Sequence, residues 1–182
     1  MLKATKENWE QAMNNLINRR TRTTLGTSVE AIRTRDYASH LSKVYVGESL
    51  LDVGCGDQFI RKCIDPNVKY YGLDAFPVPG IDIIKGNIES TATVDLFTEE
   101  IPIETICAFA VMDGVYDFDK AIENMKLIAT KNIIFLTMLD TEANEFHTFK
   151  LQIEDYDSRF TGWKKTYFEN ISTKCYLIEY TK

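Results

Sequence analysis

Apolar positions along the chain change period twice. In "KENWEQAMNNLINRR", Trp9, Met13, Leu16 and Ile17 recur at helical spacing. In "SVEAIRTRDYASHLSKV", Val29, Ile32, Ala38, Leu41 and Val44 share one face, and Ser28 stands where a helix cap belongs. The polar link "TRTTLGTS" with Gly26 separates the two helices. From residue 49 short apolar runs alternate with helical patterns. "SLLDVGC", "KYYGLDA", "IDIIKG", "TICAFAV" and "NIIFLTML" read as strands. "DQFIRKCI" reads as a short helix, "TATVDLFTEE" as a helix with Thr93 as its expected cap, and "DFDKAIENMKLIAT" as a longer helix. "PVPG" reads as a turn.

Strands apolar on both faces need cover on both faces, and β-α-β alternation forces parallel crossovers. The end differs. "WKKTYFEN" and "KCYLIEYTK" are two β-rich runs joined by "IST", too short for a crossover, so they predict a hairpin. The expected fold is α/β: a Rossmann-like, seven-stranded, mostly parallel sheet with helices on both faces and the last strand antiparallel.

The chain has 182 residues, enough for one domain with a full core. Its apolar runs are strand-sized, far short of the ~20 residues of a membrane span. The start "MLKATKENWEQAM" lacks an apolar signal core, which predicts a cytoplasmic protein. Cys55, Cys63, Cys107 and Cys175 fit no zinc spacing, and with two histidines no metal site is expected; all four are read as reduced. The net charge of −6 argues against nucleic acid as an obligate partner. Basic residues nevertheless outnumber acidic ones in residues 1–43, with "RRTR" and "RTR" among them. That segment reads as a solvated face or as a lid that attracts an anionic ligand.

The turn "LLDVGCGDQ" carries the candidate chemistry. Gly54 and Gly56 let backbone approach a ligand closely. A dinucleotide site would put a third glycine at position 59, which is Phe59. No lysine follows a P-loop spacing. Asp52, two residues before Gly54, would repel a pyrophosphate but suit a ligand with a positive centre, such as S-adenosylmethionine. Asp74 ends the second strand, where a carboxylate can accept both hydroxyls of a ribose. Asn87 offers an amide to an adenine edge, Ile88 can flank the ring and Phe76 can stack on it.

These stretches together resemble the class I methyltransferases that use S-adenosylmethionine. "LLDVGCGDQ" is similar to their glycine motif, "YYGLDAF" to their ribose-binding acidic motif and "GNIES" to their adenine loop. "AVMDGVYDFDKAIENM" is similar to the segment after their fourth strand. The match runs from about residue 45 to the C-terminus. It implies an N-terminal helical lid over 1–44 and an S-adenosylmethionine-binding domain over 45–182, in one structural unit. It also implies cofactor contacts from Asp52, Gly54, Cys55, Gly56 and Gln58, from Asp74, Ala75 and Phe76, from Asn87, Ile88 and Ala110, and from Arg35 or Arg33 on the cofactor carboxylate. Three positions depart from the family pattern: Gln58 replaces a glycine, Asn87 an acid and Gly114 a histidine.

Methyl transfer asks mainly for alignment, with a general base where the acceptor must lose a proton. The candidates are His147 and Asp113, with Tyr116 behind them. His40 is expected to pack or face solvent, and Trp9 and Tyr37 to pack on helix faces unless they line an acceptor pocket. "VMDGVY" is not the N-P-P-Y or D-P-P-Y run of adenine-amino and glutamine enzymes, and no Pro-Cys pair offers a cytosine C5 nucleophile. A small-molecule methyl acceptor is the first expectation and an RNA acceptor the second. Two other classes stand beside them. One is a regulatory protein that binds S-adenosylmethionine without transfer, motivated by Gln58 and Gly114. The other is an aminopropyltransferase, motivated by Asp113, Asp117 and Asp119.

Overall fold

A computed structural model describes residues 5–7, 9–11, 13–14, 36–77, 82–142 and 149–182. Several sequence expectations lie outside the described residues: Leu16, Ile17, the run at 19–22, the Ser28 cap, Val29, Ile32, Arg33, Arg35, His147 and most of the turn at 77–80.

Seven strands form one sheet: β1 (Ser49–Val53), β2 (Lys69–Asp74), β3 (Ile84–Lys85), β4 (Ile103–Phe109), β5 (Ala129–Met138), β6 (Lys164–Ser172) and β7 (Cys175–Thr181). Their order is β3-β2-β1-β4-β5-β7-β6. The pairs from β3 to β5 are parallel. β7 runs antiparallel to both β5 and β6, so the last strand is inserted one place in from the edge. The sheet is thus the expected one, hairpin included. Chain order reverses between β1 and β4, and in such sheets a crevice opens at that switch point beyond the strands' carboxyl ends.

The pleat of β1 sorts its side chains between two cores. Leu51 and Val53 join the larger cluster with Phe97, Ile106, Phe118, Met125 and Phe135. Leu50 joins the other with Ile60, Cys107, Ile134, Leu136 and Leu177. Helix α2 (Phe118–Ile128) covers the first, burying Phe118, Ala121, Ile122, Met125 and Ile128 at helical spacing. Its N-cap Asp117 accepts the Lys120 amide at 3.1 Å. Residues 36–41 are helical and bring Tyr37 and Leu41 to the second cluster.

Two local expectations differ from the structure, and one further helical turn is added by it. "DQFIRKCI" forms only the 3-10 turn Ile60–Lys62. Gln58 enters it at φ +57°, outside the helical region, and Pro66 closes the segment soon after. Helix α1 (Thr91–Asp95) is capped in position by Ser90, and Thr93 is buried inside the first turn instead; the run continues as a π-helical turn, Leu96–Glu100. Helix α3 (Ile153–Asp157) was not visible as a helical run, since it is a single turn set by a Gln152–Asp155 capping box.

The cysteines are free thiols, Cys55 and Cys107 buried and Cys63 and Cys175 half-buried. Among the described residues no helix is long and apolar enough to cross a membrane, and no cluster of His, Cys, Asp or Glu is arranged for a metal ion.

Candidate functional site

The glycine turn leaves β1 through two residues in the left-handed region. Gly54 has φ +70° and Gly56 φ +48°. A Cβ on Gly54 would lie 2.6 Å from Val111 Cγ2, so only glycine fits there. The Gly54 amide donates to Leu73 O at 2.8 Å, which ties the turn to β2. Asp74 completes the tie. Its Oδ2 accepts the Gly56 amide at 3.0 Å and its Oδ1 the Phe76 amide at 2.8 Å.

Gln58 stands where the family pattern has a glycine, and its backbone still adopts that conformation. The side chain turns away from the crevice: Nε2 donates to Asp82 O at 2.7 Å, and Oε1 accepts from Arg61 Nη1 at 3.2 Å. Asp52 also lies off the crevice, on the sheet face of Leu50. It accepts the Tyr70 hydroxyl at 2.6 Å. Burial pushes its carboxyl up to about 7, the Tyr70 bond opposing and the Asp74 charge adding to the rise.

The loop after β3 supplies the second wall. Asn87 Oδ1 accepts the Glu89 amide at 3.0 Å, and Asn124 Nδ2 holds Ile88 O at 2.7 Å. Glu89 reaches across to the loop after β4, accepting the Tyr116 amide at 2.9 Å and the Asp117 amide at 3.0 Å. Burial raises its carboxyl above the usual range, against those two bonds.

The third wall follows β4. Ala110 turns at φ +55°, a costly conformation for a residue with a Cβ. The next turn, Met112–Gly114, carries the buried Asp113. Trp9 joins these walls from the N-terminal segment. Its Nε1–H donates to Gly114 O at 3.0 Å, and its ring lies 5.6 Å from Tyr116 and 6.4 Å from Phe76 between centroids.

The walls line a half-open cavity of about 160 Å³. Gly54, Asp74, Ala75, Phe76, Asn87, Ile88 and Ala110 line it, as does Asp113. Asp52, Cys55, Gly56 and Gln58 support the turn from outside the lining. Tyr37 packs edge-on against Phe109 instead, at 5.3 Å. His40 is half-buried, and burial first and Lys43 second lower its affinity for a proton. Arg35 and His147 lie outside the described residues. Sequence reasoning passed over Glu89, Val111 and Val115 and gave Trp9 and Met13 mainly a packing role, yet all five face the cavity. Glu89 was legible as the acid of "GNIES"; Val111 and Val115 carry no chemical signal. Among the described residues, the charged side chains of the lining are three carboxylates, Asp74, Glu89 and Asp113, with no Lys, Arg or His.

No family model matches the chain, and no curated protein matches it in sequence. Solved structures do match. The N-methyltransferase NodS from Bradyrhizobium japonicum WM9, in complex with S-adenosyl-L-homocysteine, superposes with a TM-score of 0.63 at 15% identity, over 92% of this chain and 97% of its own. A protein from Pyrococcus horikoshii OT3 gives 0.68 at 10% identity, over 88% and 94%. A SAM-dependent methyltransferase from Aquifex aeolicus gives 0.61 at 13% identity, over 80% and 89%. The chain has the fold of the class I S-adenosylmethionine-dependent methyltransferases.

Proposed function

We propose that the protein binds S-adenosylmethionine and transfers its methyl group to a small molecule. One observation carries the reading: on this fold, at the switch-point crevice, the charged lining among the described residues is all carboxylate. Such a wall disfavours the pyrophosphate of a dinucleotide and suits a net-positive sulfonium amino acid.

The residues divide the work. Asp74 accepts one amide on each oxygen, which fixes its carboxylate at the end of β2, where it would meet a ribose diol. Phe76 and Ile88 flank the base. Because Asn87 Oδ1 is used by the Glu89 amide, its Nδ2 is the group to meet a ring nitrogen of adenine. Gly54 brings backbone close to the amino-acid end, and Arg35 pairs with the carboxylate there. The bound sulfonium supplies an activated methyl group. Asp113 takes a proton from the acceptor, with His147 as the alternative base. Residues 1–44 act as the lid, entering through Trp9 and Met13. The reading without methyl transfer rests on Gln58 and Gly114; engagement of the Gln58 side chain with Asp82 and Arg61, and its absence from the cavity lining, support the reading with transfer.

Calorimetry tests the core claim. S-adenosylmethionine is expected to bind with Kd below a millimolar, and Asp74→Ala to weaken binding at least tenfold. No heat at millimolar ligand would overturn the reading.

A further inference from the structure

We infer that Trp9 and Asp113 form a recognition site for an organic ammonium group, so that the acceptor is a small amine and Trp9 sets the preference for it. This rests on the cofactor reading of the same cavity and deepens it.

Trp9 is fixed in the cavity wall by three partners. Its indole N–H is committed to Gly114 O at 3.0 Å, so what it offers a ligand is the ring and not the donor. Tyr116 and Phe76 hold that ring in place. Indole is the strongest cation–π partner among the side chains, and the interaction grows when water is excluded. Gly114 has no side chain, so the wall at this turn comes from the N-terminal segment: a Cβ on Gly114 would just reach Met13 Cε, at 3.4 Å. Asp113, next to Gly114, is buried and lines the same cavity.

The other charges point the same way. Glu89 and Asp74 add two further acidic side chains to the lining, and among the described residues no Lys, Arg or His of the lining could hold a phosphate or carboxylate acceptor. A ring and a carboxylate on the wall of one largely apolar pocket match an ammonium group. One N–H proton of the bound ammonium passes to Asp113, which exposes the nitrogen lone pair. That pair forms the N–C bond while the S–C bond breaks, its electrons going to sulfur. The product is again an ammonium, and the leaving group is a neutral thioether.

The test compares choline with its neutral isostere 3,3-dimethylbutan-1-ol, titrated by calorimetry into protein saturated with S-adenosyl-L-homocysteine. Choline cannot be methylated, so the readout is binding alone. Choline is expected to bind at least tenfold more tightly. Trp9→Leu, apolar but without a ring, should remove most of that preference, Trp9→Phe should keep part of it, and Asp113→Asn should reduce it severalfold. Equal or tighter binding of the alcohol overturns the proposal, as does a wild-type preference in Trp9→Leu. Failure of S-adenosyl-L-homocysteine to bind would instead strike the cofactor reading. The two probes titrated into protein alone then still read the ammonium site, by the same tenfold criterion.

Discussion

Gln58 shows how one residue can keep a motif's geometry without its letter. The turn needs a left-handed backbone at this point, which costs a non-glycine residue about 1 kcal/mol. The side chain repays that cost through its bonds to Asp82 O and from Arg61. At about 1 kcal/mol for each such bond, the two bonds outweigh that cost by about 1 kcal/mol. Gln58→Gly is therefore expected to lower unfolding stability by about 1 kcal/mol and to leave S-adenosylmethionine affinity within threefold. A tenfold change in affinity, measured by calorimetry, would place the side chain in the cavity after all. The sequence made Gln58 look like the weak point of the turn because identity is visible in a sequence and rotamer is not. Asp74 was the opposite case: its place at the end of β2 was legible, and its two amide bonds agree with a role in shaping the ligand crevice.

Strand β1 carries the clearest consequence of alternation. Its pleat sends Leu51 and Val53 toward one core and Leu50 and Asp52 toward the other. Asp52 therefore meets Tyr70 rather than the crevice. The groups facing it across the sheet are Tyr70 and Cys107, with Asp74 at the strand end. Its carboxyl moves from 3.8 to about 7, so between those values the folded chain holds a proton that the unfolded chain releases. Stability then falls as pH rises through that window and levels off above it. Asp52→Asn keeps an acceptor for the Tyr70 hydroxyl and removes the ionisation. Relative to the wild type, the variant should gain roughly 2–4 kcal/mol of stability between pH 5 and pH 8. Urea midpoints at the two pH values check this, and parallel pH curves for the two proteins would sink it. Elsewhere, long periodic elements such as α2 were legible from spacing, while the single-turn α3 and the 3-10 turn after Gly56 were not. One turn offers too few positions for a period to show.

Whole-chain topology makes the two ends unequal. β7 lies between β5 and β6, and its Leu177 and Ile178 are fully buried. Removing residues 173–182 would strip β5 of its antiparallel partner along seven paired positions. That truncation is expected to abolish cooperative thermal unfolding. Removing residues 1–14 takes away Trp9 and Met13 but leaves every sheet pair in place; it should keep a cooperative transition and weaken S-adenosylmethionine binding at least severalfold. A shorter chain without 173–182 that still unfolds cooperatively would contradict the inserted-strand account. By itself the sequence determined the α/β class, the seven strands, the closing hairpin and the positions of the glycine turn and its acids. Those follow from local period and from turn residues, which neighbours in the chain dictate. Tertiary structure decided which way the side chains face. It turned Asp52 and Gln58 out of the crevice, sent Glu89 across to the Tyr116 loop, and brought Trp9 over Gly114, 105 residues away in the chain. Such contacts depend on packing between distant segments, and no local pattern encodes them.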